Sequence, residues 1–178
     1  MPDAPDFIRA VPDDDDRERR VCRTCGFIDY VNPKIVAGAV VADAEGRILM
    51  CRRAIGPREG FWTLPAGFME EGETVDAAAR REAFEEARAR IETGPVIGLY
   101  SVPRISQVQI FFRARLLDPE IEPGPESLEV AMFAWDDLPR DDFAFPSVAW
   151  ALEDWRDRRD QPVPAPAMRS QDKTVKPY

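Results

Sequence analysis

A chain of 178 residues has room for one domain with a real core and flanking tails. Hydrophobic residues make up 44% and charged residues 32%, and the formal net charge of −9 argues against a general nucleic-acid binder, which needs a basic footprint. No apolar run is long enough to span a bilayer, and the acidic opening MPDAPDFIRAVPDDDD lacks the apolar stretch of a signal peptide.

Along the chain, residues 1–20 read as a loosely attached acidic arm with a charge run at 13–16. Cys22-Arg23-Thr24-Cys25-Gly26 reads as one knuckle of a zinc ribbon. Two β-rich runs, 34–43 and 47–53, flank the turn residues Asp43-Ala44-Glu45-Gly46 and predict a hairpin. The Gly- and Pro-bearing stretch 54–67 predicts a loop. Thr74 is a candidate N-cap for a helix running to about Arg90, ended by Thr93-Gly94-Pro95. Strands are expected over 96–102, 107–117 and 128–135. Pro146 opens a last amphipathic helix with Val148, Leu152 and Trp155 at helical spacing. From Gln161 the chain is polar and Pro-rich, which predicts a disordered tail over 161–178. The order β-β-α-β-β-β-α, with a long loop before the first helix, predicts an α/β fold with a mixed sheet between helices.

The absence of histidine removes His-based acid–base chemistry, Ser-His triads and His metal ligands, and leaves carboxylates as the chemical groups. Three cysteines fit a reducing, cytoplasmic setting. The carboxylates crowd one place. Glu82, Glu85 and Glu86 share one helix face, where like-charge pairs three or four residues apart each cost roughly 0.2–0.5 kcal/mol. Such a cluster is ordinarily a solvated, salt-bridged face, and Arg81, Arg88 and Arg90 stand at pairing distance in sequence. Here the same face carries Val75, Ala78, Ala79 and Ala89, while Phe84, Ala87 and Ile91 lie roughly opposite, so both sides are expected to pack. Buried carboxylates without partners are expensive, and a hard divalent cation, Mg²⁺ or Mn²⁺, would resolve the conflict.

The string from Gly67 reads G-x5-E-x7-R-E-A-x-E-E-x-R-A and resembles the Nudix box, G-x5-E-x7-R-E-U-x-E-E-x-G-U, with U a bulky aliphatic residue. Gly67, Glu73, Arg81, Glu82, Glu85 and Glu86 match in register. Arg88 stands where the pattern has Gly, and Ala83 and Ala89 are small for U. The resemblance implies the Nudix α/β/α sandwich over 35–160. It implies that Glu82, Glu85 and Glu86 hold Mg²⁺ with the Gly67 carbonyl, and that Glu73 and Arg81 form a structural ion pair. The chemistry would be attack of water on a phosphorus of a diphosphate, with a carboxylate removing the proton. Glu82, Glu86 and Glu129 are the candidates for catalytic carboxylates, together with Arg81.

A wider stretch, from about Cys22 to about Phe145, resembles the branch that contains FAD and ADP-ribose pyrophosphatases with an N-terminal zinc ribbon. Its members act on small nucleotides, and Arg53, Arg104 and Gln107 are the candidate substrate contacts. Arg52 and Arg53 have an ordinary solvated reading, and Trp62 reads either as a ring-stacking residue or as core. Residues 1–34 hold half a ribbon: Cys22 and Cys25 match its second knuckle, while Asp3 falls on a cysteine position of the first. Two thiolates without histidine cannot complete tetrahedral zinc, so Cys22 and Cys25 read as vestigial, unless two chains of a homodimer pool them. Cys51 reads as a core thiol. Three rival readings stand: a catalytically silent Nudix domain that senses a nucleotide, an NADH pyrophosphatase, and a zinc-ribbon interaction module.

Overall fold

The computed structural model describes residues 6–163 and 165–170. Two compact units divide the chain, Met1–Pro33 and Lys34–Tyr178.

The first unit is a three-stranded antiparallel sheet: β1 (Phe7–Ala10), β2 (Arg19–Cys22) and β3 (Ile28–Asp29), with Phe7 opposite Cys22 and Val21 opposite Ile28. The stretch expected to be a loose acidic arm is therefore paired backbone at 7–10 and again from Arg19. The reason lies in contacts that composition hides. Asp15 accepts from Arg19 Nε at 2.7 Å and from the Asp16 amide at 2.8 Å, which folds the charge run into a turn between β1 and β2. The Cys22-to-Gly26 knuckle is closed by the Gly26 amide on the Cys22 carbonyl at 2.9 Å, with Gly26 at φ +75°, where glycine is at ease. Asp3 lies outside the described residues.

In the second unit a mixed sheet runs in the order β10-β5-β4-β9-β8-β11. Its strands are β4 (Lys34–Ala42), β5 (Ile48–Arg53), β8 (Ile91–Val102), β9 (Gln107–Leu116), β10 (Ser127–Phe133) and β11 (Ala167–Ser170). Short β6 (Trp62–Thr63) and β7 (Ala66–Phe68) pair with β5 and β4 inside the stretch expected to be loop. Helices α1 (Val75–Ala87) and α2 (Pro146–Arg158) cover opposite faces, as the period-2 alternation of the strands requires. Ala37, Ala39, Val41, Leu49 and Cys51 pack with the alanines of α1, whereas Val40, Ile48 and Met50 pack with Val148, Leu152 and Trp155 of α2. The α/β/α sandwich expected from the sequence is the fold.

Three local expectations are corrected. Helix α1 ends at Ala87, not near Arg90: Arg88 turns left-handed at φ 54°, its amide reaches the Phe84 carbonyl at 2.9 Å, and the Ala89 amide reaches Ala83 at 3.2 Å. Thr93-Gly94-Pro95 does not end a helix but lies within β8, where the register shifts between Thr93 and Val96 and again by Gly98; an irregularity of this kind tolerates a proline that donates nothing. Part of the expected tail is ordered: β11 pairs parallel to β8 with Arg169 opposite Tyr100. Residues 171–178 lie outside the described residues.

Candidate active site

Helix α1 is a stripe of small residues interrupted by acids. Its buried positions are Ala78, Ala79, Glu82, Ala83, Glu86 and Ala87, one face at i, i+4, i+8 spacing. Alanine lets the helix lie close to β4 and β9, and that closeness carries Glu82 and Glu86 under the surface. Phe84, expected to pack on a second face, is 43% exposed, and Ile91 belongs to β8. Thr74 caps the helix as expected, accepting from the Ala77 amide at 3.4 Å. Beyond the other end, the Glu122 amide donates to Ala87 and the Gly124 amide to Glu86, at 3.0 and 2.9 Å. A Cβ on Gly124 would overlap the Glu85 carbonyl, so the 118–126 loop seats tightly on the helix end.

Arg81 ties the corner together. It reaches Glu73 with Nη2 at 2.7 Å and Nε at 3.1 Å, and the Phe68 carbonyl at 2.9 Å. The expected Glu73–Arg81 pair is thus bidentate, and the guanidinium holds the Glu73 carboxyl below its usual range. Arg81 Nη1 also lies 2.6 Å from Glu82 and 2.9 Å from Glu85. Gly67 pairs opposite Ala37 in β7–β4, and a Cβ there would overlap the Glu82 carboxylate, so glycine is required for this approach.

The two buried acids are electrically unsettled. Burial pushes the Glu86 carboxyl up to about 8, aided by the Glu82 charge and opposed by Arg53. Burial also raises Glu82, against the pull of Arg81. Glu86 Oε2 is buried without a hydrogen-bond partner among the described residues. Cys51, buried beneath Glu86, has its thiol pushed well up by burial and by that carboxylate. It lies in the core, as expected.

These groups open into a cavity of about 870 Å³. Gly67, Arg81, Glu82, Glu85 and Glu86 line it, and so do Arg53, Arg104 and Gln107, the three residues singled out as substrate contacts. Arg53 is steadied by the Pro57 carbonyl at 2.9 Å and lies over the Phe145 ring. Glu129 is not brought there: it stands opposite Arg52, 3.5 Å from its guanidinium. Beyond the acids of α1, Glu70 and Glu126 line the cavity, and the Glu126 charge raises both Glu82 and Glu86. The strand register shifts between Ser127 and Glu129, which leaves Glu129 on the Arg52 face of the sheet rather than the Cys51 face. Trp62 is core, packed edge-on against Phe133 at 5.0 Å, while Trp150 of α2 faces the cavity. The signal for Glu126 was the turn sequence Pro125-Glu126 just before a strand; Trp150 gave none beyond helical spacing.

The donors suit a hard divalent cation: carboxylates, the Gly67 carbonyl, and one buried oxygen of Glu86 with no proton donor to satisfy it. Among the described residues no three Cys, His, Asp or Glu side chains stand grouped as a ready metal site. The geometry gives the reason, since Arg81 Nη1 bridges Glu82 and Glu85. Cys22 and Cys25 are free thiols.

Comparison with known proteins identifies the family. Residues 32–151 match the NUDIX domain model, and residues 6–31 match the Nudix N-terminal zinc-ribbon model. The ribbon match covers the segment expected to be an acidic arm and half a ribbon. A NUDIX hydrolase from Nitrosomonas europaea superposes with a TM-score of 0.88 at 40% identity, over 96% of this chain and 97% of that one. An ADP-ribose pyrophosphatase of Methanocaldococcus jannaschii is 30% identical over 62% of this chain and 68% of its own length. The NAD-capped RNA hydrolase NudC of Pseudomonas syringae is 29% identical over 69% of this chain, a match that spans 50% of that relative's length. No helix among the described residues is long and apolar enough to cross a membrane.

Proposed function

The chain belongs to the Nudix family of hydrolases, which act on phosphoric anhydrides, and from that premise we propose that it is a divalent-metal-dependent hydrolase of a nucleoside diphosphate linked to a second group, with ADP-ribose or FAD favoured, working in the cytoplasm. One observation carries the reading: Glu86 is buried beside Glu82 in a cavity, and its Oε2 has no hydrogen-bond partner among the described residues. A carboxylate costs too much in that position to be retained for packing alone. Glu82, Glu85, Glu86 and the Gly67 carbonyl would hold Mg²⁺ or Mn²⁺. The ion would supply charge neutralisation at the phosphate and a more acidic water. For that, Glu82 and Glu85 give up their bonds to Arg81 Nη1, while Glu73 keeps the guanidinium in place. Arg53 and Arg104, which line the same cavity, would meet the diphosphate there. Glu126, within electrostatic reach of both buried acids, takes the place of Glu129 as the further carboxylate available to accept the proton of the attacking water. The ribbon unit is proposed to stand apart from this chemistry, with no zinc held by one chain.

The test is a substrate panel with Mg²⁺: ADP-ribose, FAD, NADH and an NAD-capped RNA, with released mononucleotides separated by chromatography. Release of AMP from ADP-ribose or FAD in preference to the others supports the reading. A preference for NADH or the capped RNA moves it toward the NudC-like relatives. Tight binding of a nucleotide without turnover is the outcome of a silent sensor.

A further inference from the structure

The cavity has a second wall that the diphosphate chemistry does not use. It is apolar and aromatic, with Phe111, Phe145, Val148 and Trp150 among its residues. Trp150 is half-buried and meets the Tyr100 ring edge to face, with centroids 5.7 Å apart and planes at 71°. Phe111 leans on the same Tyr100 ring, also at 5.7 Å. Tyr100 therefore backs two of the cavity's aromatic residues.

Tyr100 is itself pinned. It is fully buried, and a Cβ on Gly98 would overlap its ring, so the sequence clears room for it two residues away on the same strand. Its hydroxyl donates to Asp154 of α2 at 2.8 Å. Asp154 is 1% exposed and accepts from Arg158 at 3.0 Å and from Arg169 at 2.8 and 3.1 Å. Arg169 comes from β11, in register with Tyr100. An unbroken chain of contacts thus runs from the C-terminal strand through Asp154 and Tyr100 to the cavity wall.

We propose that Trp150 is the ring-contacting specificity residue of the cavity, stacking on the planar base of the substrate, and that Arg169 is a positioning residue that acts on it through Asp154 and Tyr100. This rests on the Nudix reading and deepens it by assigning the base, rather than the diphosphate, to the α2 wall. A flat π-face held rigidly from behind recognises any aromatic base, at modest energy and with little ordering cost.

The experiment uses the full chain, Mg²⁺ and ADP-ribose, with AMP as a binding probe. Trp150→Ala is expected to raise KM roughly tenfold or more, the range that loss of one base–aromatic stack gives, with kcat nearly unchanged. Trp150→Phe restores KM. AMP quenches tryptophan emission in the wild type and fails to do so in Trp150→Phe, although that variant still binds. Arg169→Ala raises KM by a smaller factor, and Arg169→Lys recovers part of it. An unchanged KM in Trp150→Ala, or AMP quenching that persists in Trp150→Phe, overturns the assignment of the ring. An Arg169→Ala variant that melts earlier but keeps the wild-type KM overturns the positioning role. If the wild type splits no diphosphate, the hydrolase reading fails instead, and AMP quenching still decides whether Trp150 meets the base.

Discussion

Each of the two helices buries a carboxylate, and the two are treated in opposite ways. Asp154 on α2 is closed in by Tyr100, Arg158 and Arg169, so its charge is met from three sides. Glu86 on α1 is almost as deep, yet one of its oxygens has no partner among the described residues and its carboxyl is pushed up to about 8. Burial alone does not tell them apart; the count of donors does. A fully partnered buried charge holds elements together, and an unsatisfied one in a cavity marks a place where a cation or reactant completes the set.

If this contrast is right, removing the two acids has opposite consequences for stability. Asp154→Ala strands three donors, two of them charged, and is expected to cost about 3–5 kcal/mol, measured by urea unfolding. Glu86→Gln relieves a cost instead. Between its ordinary value of 4.5 and the folded value of about 8, the unfolded chain releases a proton that folded Glu86 keeps. Metal-free stability therefore falls as pH rises through that window and levels off above it. Glu86→Gln should reduce this slope and leave the protein more stable than wild type at pH 8, in EDTA. A wild-type profile that rises with pH, with Glu86→Gln less stable at pH 8, would place Glu86 in the same structural class as Asp154. Divalent-ion affinity in the wild type should strengthen as pH rises toward 8, because the ion displaces that proton.

Smaller effects sharpen the picture at the margins of α1 and in the ribbon unit. Arg88 holds a left-handed conformation that costs an L side chain about 1–2 kcal/mol, partly offset because glycine is freer when unfolded. Arg88→Gly should therefore stabilise by about 0.5–1 kcal/mol in urea titration; a loss of stability would mean that the Arg88–Phe84 contact outweighs the strain. Least of all, Cys22→Ser with Cys25→Ser should leave activity and melting temperature nearly unchanged, and elemental analysis should find well under one zinc per chain. About half a zinc per chain, in a dimer that chelator dissociates, would show two chains sharing the knuckles.

What the sequence made legible was local and periodic. The spacing of Gly67, Glu73, Arg81, Glu82, Glu85 and Glu86 located the acidic wall, because one helix, the short strand before it and the turn between them carry all six residues. The order of elements, with β-rich runs at 34–43 and 47–53, placed a mixed sheet between helices. The misses were long-range or depended on a shift of register. Glu129 was named and Glu126 passed over, because a slip between Ser127 and Glu129 leaves no mark in composition. The order in β11 depends on Arg169 meeting Asp154 from fifteen residues away. The paired strands of the first unit depend on Asp15 folding back on Arg19. Arg88 is a further miss: it stands where the family pattern has glycine, and its left-handed backbone, which ends the helix short of Arg90, shows why glycine suits that position.

The central claim is that the unsatisfied Glu86 oxygen is a working group, and the most direct test is the turnover of ADP-ribose by wild type and Glu86→Gln across a Mg²⁺ titration. The account predicts wild-type activity that EDTA abolishes, and a loss of at least ~100-fold in kcat in the folded variant at saturating metal. Near-full turnover in Glu86→Gln, or wild-type turnover that persists in excess EDTA, would contradict it.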